Sequence, residues 1–403
     1  MTRYVPASSV AYTNNTFRNN QNIVSVDLKN TPFNTSLAYS FYNCRNLTTV
    51  ENINFNNKTS LSLTFAYCMQ LTNVPAIPNS IVDMASTFTY CNSLVNTPTI
   101  PDSVTNMYHS FYQCTNLSTA PTIPNSVRDA TGFIAYCPQF FDENIYPNIP
   151  QSVQKLDHMY AGMTNTATDV PQWCMDKWNN CSTNVKTSMT GMFSDWHGLV
   201  NAPSIPDGVK YLYGTFSYCF NLVNAPVLPN SVITLQHCFA LCYNLNSAPE
   251  IPDSVAYLSS TFYGCNKLIQ APNIPASVID MTGTFHGCTN LTGDIYIKAQ
   301  NITNIGVPNR ELAPLIFNNT SLVKNVYIPF NYSNGVNTIT YNTFINAGYD
   351  ELGTQHGVYL KELILDEDRD GRYVDEAVDG SDDAGLVTDL TITDTYDAET
   401  ITE

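Results

Sequence analysis

Charge is scarce in this chain. Only 13% of its 403 residues are Asp, Glu, Lys or Arg, about half the share of an ordinary soluble domain, so ion pairs are not what holds the fold together. Long apolar runs are missing too. None approaches the roughly 18 residues that span a bilayer, and residues 1–6 lack the apolar stretch of a secretory leader, so neither membrane insertion nor an ordinary secretory start is expected. The net charge is −17 and no Lys/Arg stripe stands out, which argues against a nucleic-acid partner. The six histidines show no HExxH or similar ligand spacing, and no GxSxG elbow or phosphate-cradling glycine loop occurs. Asp102, Asp207 and Asp253 recur at one repeat position, but that position also holds Asn79, Asn125, Gln151, Asn230 and Ala276. A slot this tolerant is a turn residue, so no enzyme is expected.

What the chain does have is a period. Phe65-x-x-Cys68-x-x-Leu71 recurs at Phe88/Cys91/Leu94, Phe111/Cys114/Leu117, Phe216/Cys219/Leu222, Phe239/Cys242/Leu245, Phe262/Cys265/Leu268 and Phe285/Cys288/Leu291, and within each run the cysteines step by 23. Asn20, Cys44 and Cys137 extend the register, and Thr166 and Trp196 are placed in the same slot after steps of 29 and 30, giving about twelve slots. Eight copies carry Pro-x-Ile/Leu-Pro, and these pairs hold 16 of the 23 prolines. Proline fixes φ and lacks the N–H of a strand or helix interior, so each pair marks a bend made once per coil. Ser-Val-x-x-Met/Leu follows, as in Ser254-Val255-Ala256-Tyr257-Leu258, and predicts a short helix or helical turn that points its apolar residues inward. One repeat cannot close a core, but stacked repeats bury continuous columns.

Ile251-Pro252-x-Ser254-Val255-x-x-Leu258-x-x-x-Phe262-x-x-Cys265-x-x-Leu268 resembles the BspA-type leucine-rich repeat over roughly residues 12–345. The resemblance implies a right-handed solenoid with one short parallel strand per coil, in a family of mostly surface or secreted adhesion proteins with relatives in phages. The family strand, Leu-x-x-Ile-x-Ile-Pro, is matched by Val323-x-x-Val326-x-Ile328-Pro329 and by Ile23-x-x-Val26-x-Leu28. The central copies are one residue longer and carry a proline inside, so their ladders are expected to be shorter.

Nine of the twelve cysteines occupy the repeated slot, which reads as a column of small buried free thiols rather than a disulfide framework. On that reading Cys242→Ser costs about 1–3 kcal/mol, because a buried hydroxyl has no assured partner. Between Cys137 and Cys219 two coils gain six and seven residues, and the insertion, about 138–196, holds Trp173, Trp178 and Trp196. These rings are candidate binding anchors on a projecting face or, alternatively, a cover over a distorted coil, with Asp169-x-Pro171 reading as the start of a capped helix. Two past each repeat Leu lie Asn73, Asn96, Thr119, Asn224, Ser247 and Gln270, an uncharged strip that reads a glycan or peptide, or else a hydrogen-bonded ladder between coils. Residues 350–403 hold 17 acids against 3 Lys/Arg. There Asp366, Asp368, Asp370 and Glu376 have a calcium-loop spacing, but Ala377 stands at the usual bidentate position, and a solvated tail is the plain alternative. Leu386, Leu390 and Ile392 alternate with polar residues, which suggests a strand that docks on a sheet edge.

The sequence thus reads as a repeat solenoid of about 12 coils over residues 1–345, capped at about 295–345, followed by an acidic extension over 346–403. Its expected role is non-enzymatic recognition. The first expectation is a phage virion component contacting the host surface, held to other virion proteins or to its own copies through the extension. The alternatives are a bacterial surface adhesin binding host protein or glycan, and a purely architectural spacer.

Overall fold

Two prolines per period leave no room for long strands or helices, so each repeat must satisfy most of its backbone through turns. The computed structural model describes residues 2–4, 12–13, 16–29, 33, 36–163, 166–306, 316–317, 320, 323–329, 339–347, 349, 358–366 and 374–378. The chain divides into two units, Met1–Gly198 and Leu199–Glu403. Each is a stack of coils. At the first unit's start β1 (Thr2–Tyr4), β2 (Ile23–Asp27) and β3 (Thr49–Glu51) form a parallel sheet. In the proline-bearing copies the ladder shrinks to single bridges such as Thr49↔Asn73 and Asn201↔Asn224.

The segment before each Phe is not the expected helical turn. Among the described residues, two residues four apart are left-handed in each coil from Tyr39/Asn43 to Gly283/Gly287, as at Ser86 and Tyr90 (φ 53° and 61°) or His237 and Leu241 (φ 55° and 62°). Donors then alternate. Ser86, Phe88 and Tyr90 give their N–H to carbonyls of the next coil, at Tyr108, Ser110 and Tyr112, while Thr87, Thr89 and Cys91 close turns to Met84, Ser86 and Phe88. A helix would spend all these donors inside one coil, whereas alternation stitches neighbours together.

Side chains supply the remaining donors, in three columns. Ser103, Ser126, Ser231, Ser254 and Ser277 donate Oγ–H to carbonyls of the preceding coil at 2.6–2.8 Å. Thr64, Thr87, Ser110, Thr261 and Thr284, each just before its Phe, do so at 2.9–3.0 Å. In the third column eight repeat thiols donate to the Phe carbonyl of the coil before, at distances from 2.8 Å for Cys44 to 3.2 Å for Cys91. All twelve cysteines are buried and none is in a disulfide. Cys238, outside the main slot, takes the position of the Thr column. This corrects the expectation for Cys242→Ser: the Phe216 carbonyl, 3.1 Å from Sγ, is a partner waiting for the hydroxyl. We expect Cys242→Ser to cost about 1 kcal/mol or less, and Cys242→Ala, which strands that acceptor, about 1–3 kcal/mol in denaturant unfolding. A Ser variant less stable than the Ala variant overturns this.

The core between these columns is apolar. Phe17, Phe41, Phe65, Phe88 and Phe111 stack with ring centroids 5.0–5.6 Å apart and planes within 14°. In the second unit Phe216, Phe239, Phe262, Phe285 and Phe317 do the same at 5.7–5.9 Å. Met or Leu, Val and the repeat Leu pack around them, all buried.

The register through the insertion differs from the sequence reading. The left-handed pair His158 and Gly162 precedes Met163, and the Tyr160 ring stacks on Phe193 at 6.1 Å. Met163, not Thr166, therefore fills the cysteine slot, and the steps are 26 to Met163 and 33 to Trp196. The larger addition holds helix α1 (Gln172–Asn179), which starts at Pro171 as N-cap.

In the second unit β4 (Gly293–Tyr296), β5 (Val323–Ile328) and β6 (Tyr359–Asp366) run parallel, and β7 (Val374–Val378) pairs antiparallel with β6. Helix α2 (Ile339–Asn346) lies between β5 and β6 in the chain. The sheet thus continues past residue 345. Asp366 ends β6 opposite Val374, and Glu376 lies within β7 opposite Ile364. Asp368, Asp370 and the strand expected at 385–393 fall outside the described residues.

Candidate functional site

Strand direction and the buried repeat Leu decide which side chains face solvent. All six residues of the expected strip, Asn73, Asn96 and Thr119 in the first unit and Asn224, Ser247 and Gln270 in the second, are exposed. Two of them bond to a neighbouring coil. The Asn224 amide donates to Asn201 Oδ1 at 2.6 Å, and the Thr119 hydroxyl accepts from the Thr97 N–H at 2.9 Å. Among the described residues Asn73, Asn96, Ser247 and Gln270 make no side-chain hydrogen bond, so their donors and acceptors are turned to water. Beside Asn224 and Ser247 the proline bends leave a groove of about 600 Å³ lined by Pro226, Val227, Pro249 and Glu250, with Val227 87% exposed.

The three tryptophans are placed otherwise than as exposed anchors. Trp178, on α1, and Trp196 are fully buried. Trp196 sits in the cysteine column against Phe141 and Phe193 at 5.1 and 5.4 Å, so its ring fills the space a thiol leaves in other coils. Trp173 is half-buried among Phe141, Tyr146 and Tyr160 at 5.5–5.9 Å. The insertion covers a widened coil with its own rings, as the cover reading expected.

The sequence reading passed over a second surface, although Tyr-Cys recurs at 67–68, 90–91, 136–137 and 218–219. In the first unit Tyr42, Tyr67, Tyr90, Tyr112 and Tyr136 form a chain of rings with centroids 4.6–5.8 Å apart, and the Arg18 guanidinium lies over Tyr39 and Tyr42. The Tyr136 hydroxyl donates to the Asp195 carboxylate. Desolvation pushes the Tyr112 phenol up to about 12. Burial, reinforced by His158, pulls His109 down to about 4, so that ring is neutral at pH 7. Among the described residues no three His, Cys, Asp or Glu converge as metal ligands. The strip offers uncharged hydrogen-bonding groups, and the tyrosine row offers aromatic faces with Arg18 and Asp195 against its rings.

The BspA type leucine rich repeat region matches in six copies, over residues 4–118 and 209–349. The chain belongs to the BspA-type leucine-rich repeat family. Among solved structures it is similar to a leucine rich cell surface protein from Faecalibacterium prausnitzii A2-165, at 20% identity and TM-score 0.50, covering 73% of this chain and 86% of that one. A leucine-rich repeat protein from Bacteroides ovatus ATCC 8483 matches at 17% identity and TM-score 0.42, covering 90% of this chain and 92% of that one. No curated protein matches. The matched stretches lie one in each unit, and the likeness to the first structure supports the same repeat fold.

Proposed function

We propose that this BspA-type protein is a surface recognition protein that binds a protein ligand of a host or neighbouring cell through its uncharged strip. The observation that carries the proposal is the strip itself. Four of its six side chains keep their hydrogen-bonding groups for a partner, and the proline groove beside Asn224 and Ser247 offers apolar surface next to them. Within each unit, exposed amides and hydroxyls without aromatic walls suit peptide backbone and polar side chains, which pair with amides in both directions. Family membership favours binding or structural work over catalysis, and the likeness to a protein described as a cell surface protein favours the adhesin reading. Neither the family match nor the similar structures support the virion reading.

Replacing Asn96, Ser247 and Gln270 together by Ala tests the reading. These exposed positions are expected to change stability by less than about 0.5 kcal/mol each. Binding to immobilised extracellular-matrix proteins and to epithelial cells is expected to fall at least tenfold. Undiminished binding by a folded triple variant rejects the strip.

A further inference from the structure

The left-handed position before the cysteine carries tyrosine at 67, 90, 136 and 218 but glycine in two successive coils of the second unit, at 264 and 287. Without side chains there, a groove of about 530 Å³ opens, walled by Tyr243, Tyr263 and His286 and closed by Asn266 and Thr289. Its walls are held by stacking: Tyr263 on His286 at 4.9 Å and 10°, and Tyr243 on Phe220 at 5.0 Å and 16°. Its polar groups are held too. In the orientation that satisfies its neighbours, the Asn266 amide nitrogen donates to the Gly287 and Gly264 carbonyls at 2.8 and 3.1 Å, which leaves its oxygen as a fixed acceptor. No Asp, Glu, Lys or Arg lines the groove. Burial lowers the His286 pKa, so this wall is uncharged at neutral pH.

We infer that this groove binds the pyranose ring of a neutral saccharide, a site separate from the strip and independent of it. A pyranose has an apolar C–H face that matches an aromatic wall, and a rim of hydroxyls that pairs with an amide oxygen, a threonine hydroxyl and phenols. Phosphates and carboxylates find no cation here. An extended peptide needs a row of free backbone donors, and the Gly264 N–H is already given to the His286 carbonyl.

Saturation-transfer NMR on the intact chain, with cellobiose, maltose, lactose and N,N′-diacetylchitobiose as probes, tests the inference. Transfer to pyranose ring protons is expected for at least one sugar, with Kd on the order of 1 mM for a single shallow site. Gly287→Tyr refills the groove. Its φ of 74° is close to that of the tyrosines in the equivalent slot, and a Cβ there meets only Gly264, with Cα at 3.5 Å. This variant and the milder Thr289→Val are expected to weaken binding at least tenfold and at least threefold, with the unfolding transition retained. The inference is overturned if no sugar shows transfer, if a folded Gly287→Tyr binds like the parent, or if a Gly-Asn-Thr peptide run in parallel gives the stronger transfer.

Discussion

Raising the pH from 8 to about 10.5 is expected to unfold the protein in one steep transition. The thiols Cys44 and Cys181 are pushed up to about 11, and Cys137 and Cys288 to about 12, by burial. Burial raises Cys68, Cys91, Cys114, Cys174, Cys238, Cys242 and Cys265 as well. In the unfolded chain these groups ionise near pH 9. Above that pH the unfolded state binds fewer protons than the folded one, so stability is complete below about pH 8 and falls as pH rises toward the folded values. Each thiol contributes about 1.4 kcal/mol per pH unit in that window, so eleven together reach on the order of 10 kcal/mol per unit, as much as the whole stability of a typical domain. Near-UV circular dichroism and thiolate absorbance, followed together, should change at the same pH. A protein still folded at pH 11 would refute the linkage. Below pH 8 alkylating reagents should find the thiols unreactive.

Gly162→Ala is expected to be among the most damaging single substitutions. Gly162 has φ 60°, and a Cβ there falls 2.1 Å from Tyr136 Cδ1. The ring cannot swing aside, because its hydroxyl is held by Asp195 and the Tyr112 ring packs against it with centroids 5.0 Å apart. The cost combines about 1–3 kcal/mol of left-handed backbone strain with about 1–3 kcal/mol of overpacking. Gly214→Ala is the matched comparison, since φ is 57° and the nearest atom beyond its neighbours is Ser217 Oγ at 3.4 Å. Denaturant unfolding should show the Gly162 variant losing clearly more. Equal losses would remove Tyr136 from the account.

The stacking of coils, the buried cysteine column and the terminal strands were legible because they repeat a residue type at a fixed step. The left-handed pairs were not. Their positions hold Tyr, Asn, His, Ser, Leu and Gln as well as Gly, so no glycine signature marks the turn, and the same apolar spacing reads as helix. The slot at Met163 was missed for a related reason: the sequence reading looked for a step near 29, whereas the backbone places the slot after the left-handed pair, whatever residue fills it. The exposed strip followed from the position of the repeat Leu. Tryptophan burial did not, since a large ring fills a column or projects from it depending on how far the coil widens.

The alternation of donors has one more consequence. Each coil receives from one neighbour and gives to the other at offsets that are constant through the regular copies, so no coil is chemically unique. Excising residues 239–261 would join Cys238 to Phe262, and Ser277, Thr284 and Cys265, whose acceptors Val255, Leu258 and Phe239 are removed, would meet the equivalent carbonyls of Val232, Leu235 and Phe216. Within a unit the chain is a ruler graduated in increments of roughly 4.8 Å, the spacing of paired strands. Length can be gained or lost in whole graduations without redesigning the joint. Variants that differ only in copy number would hold the same surface out at different heights.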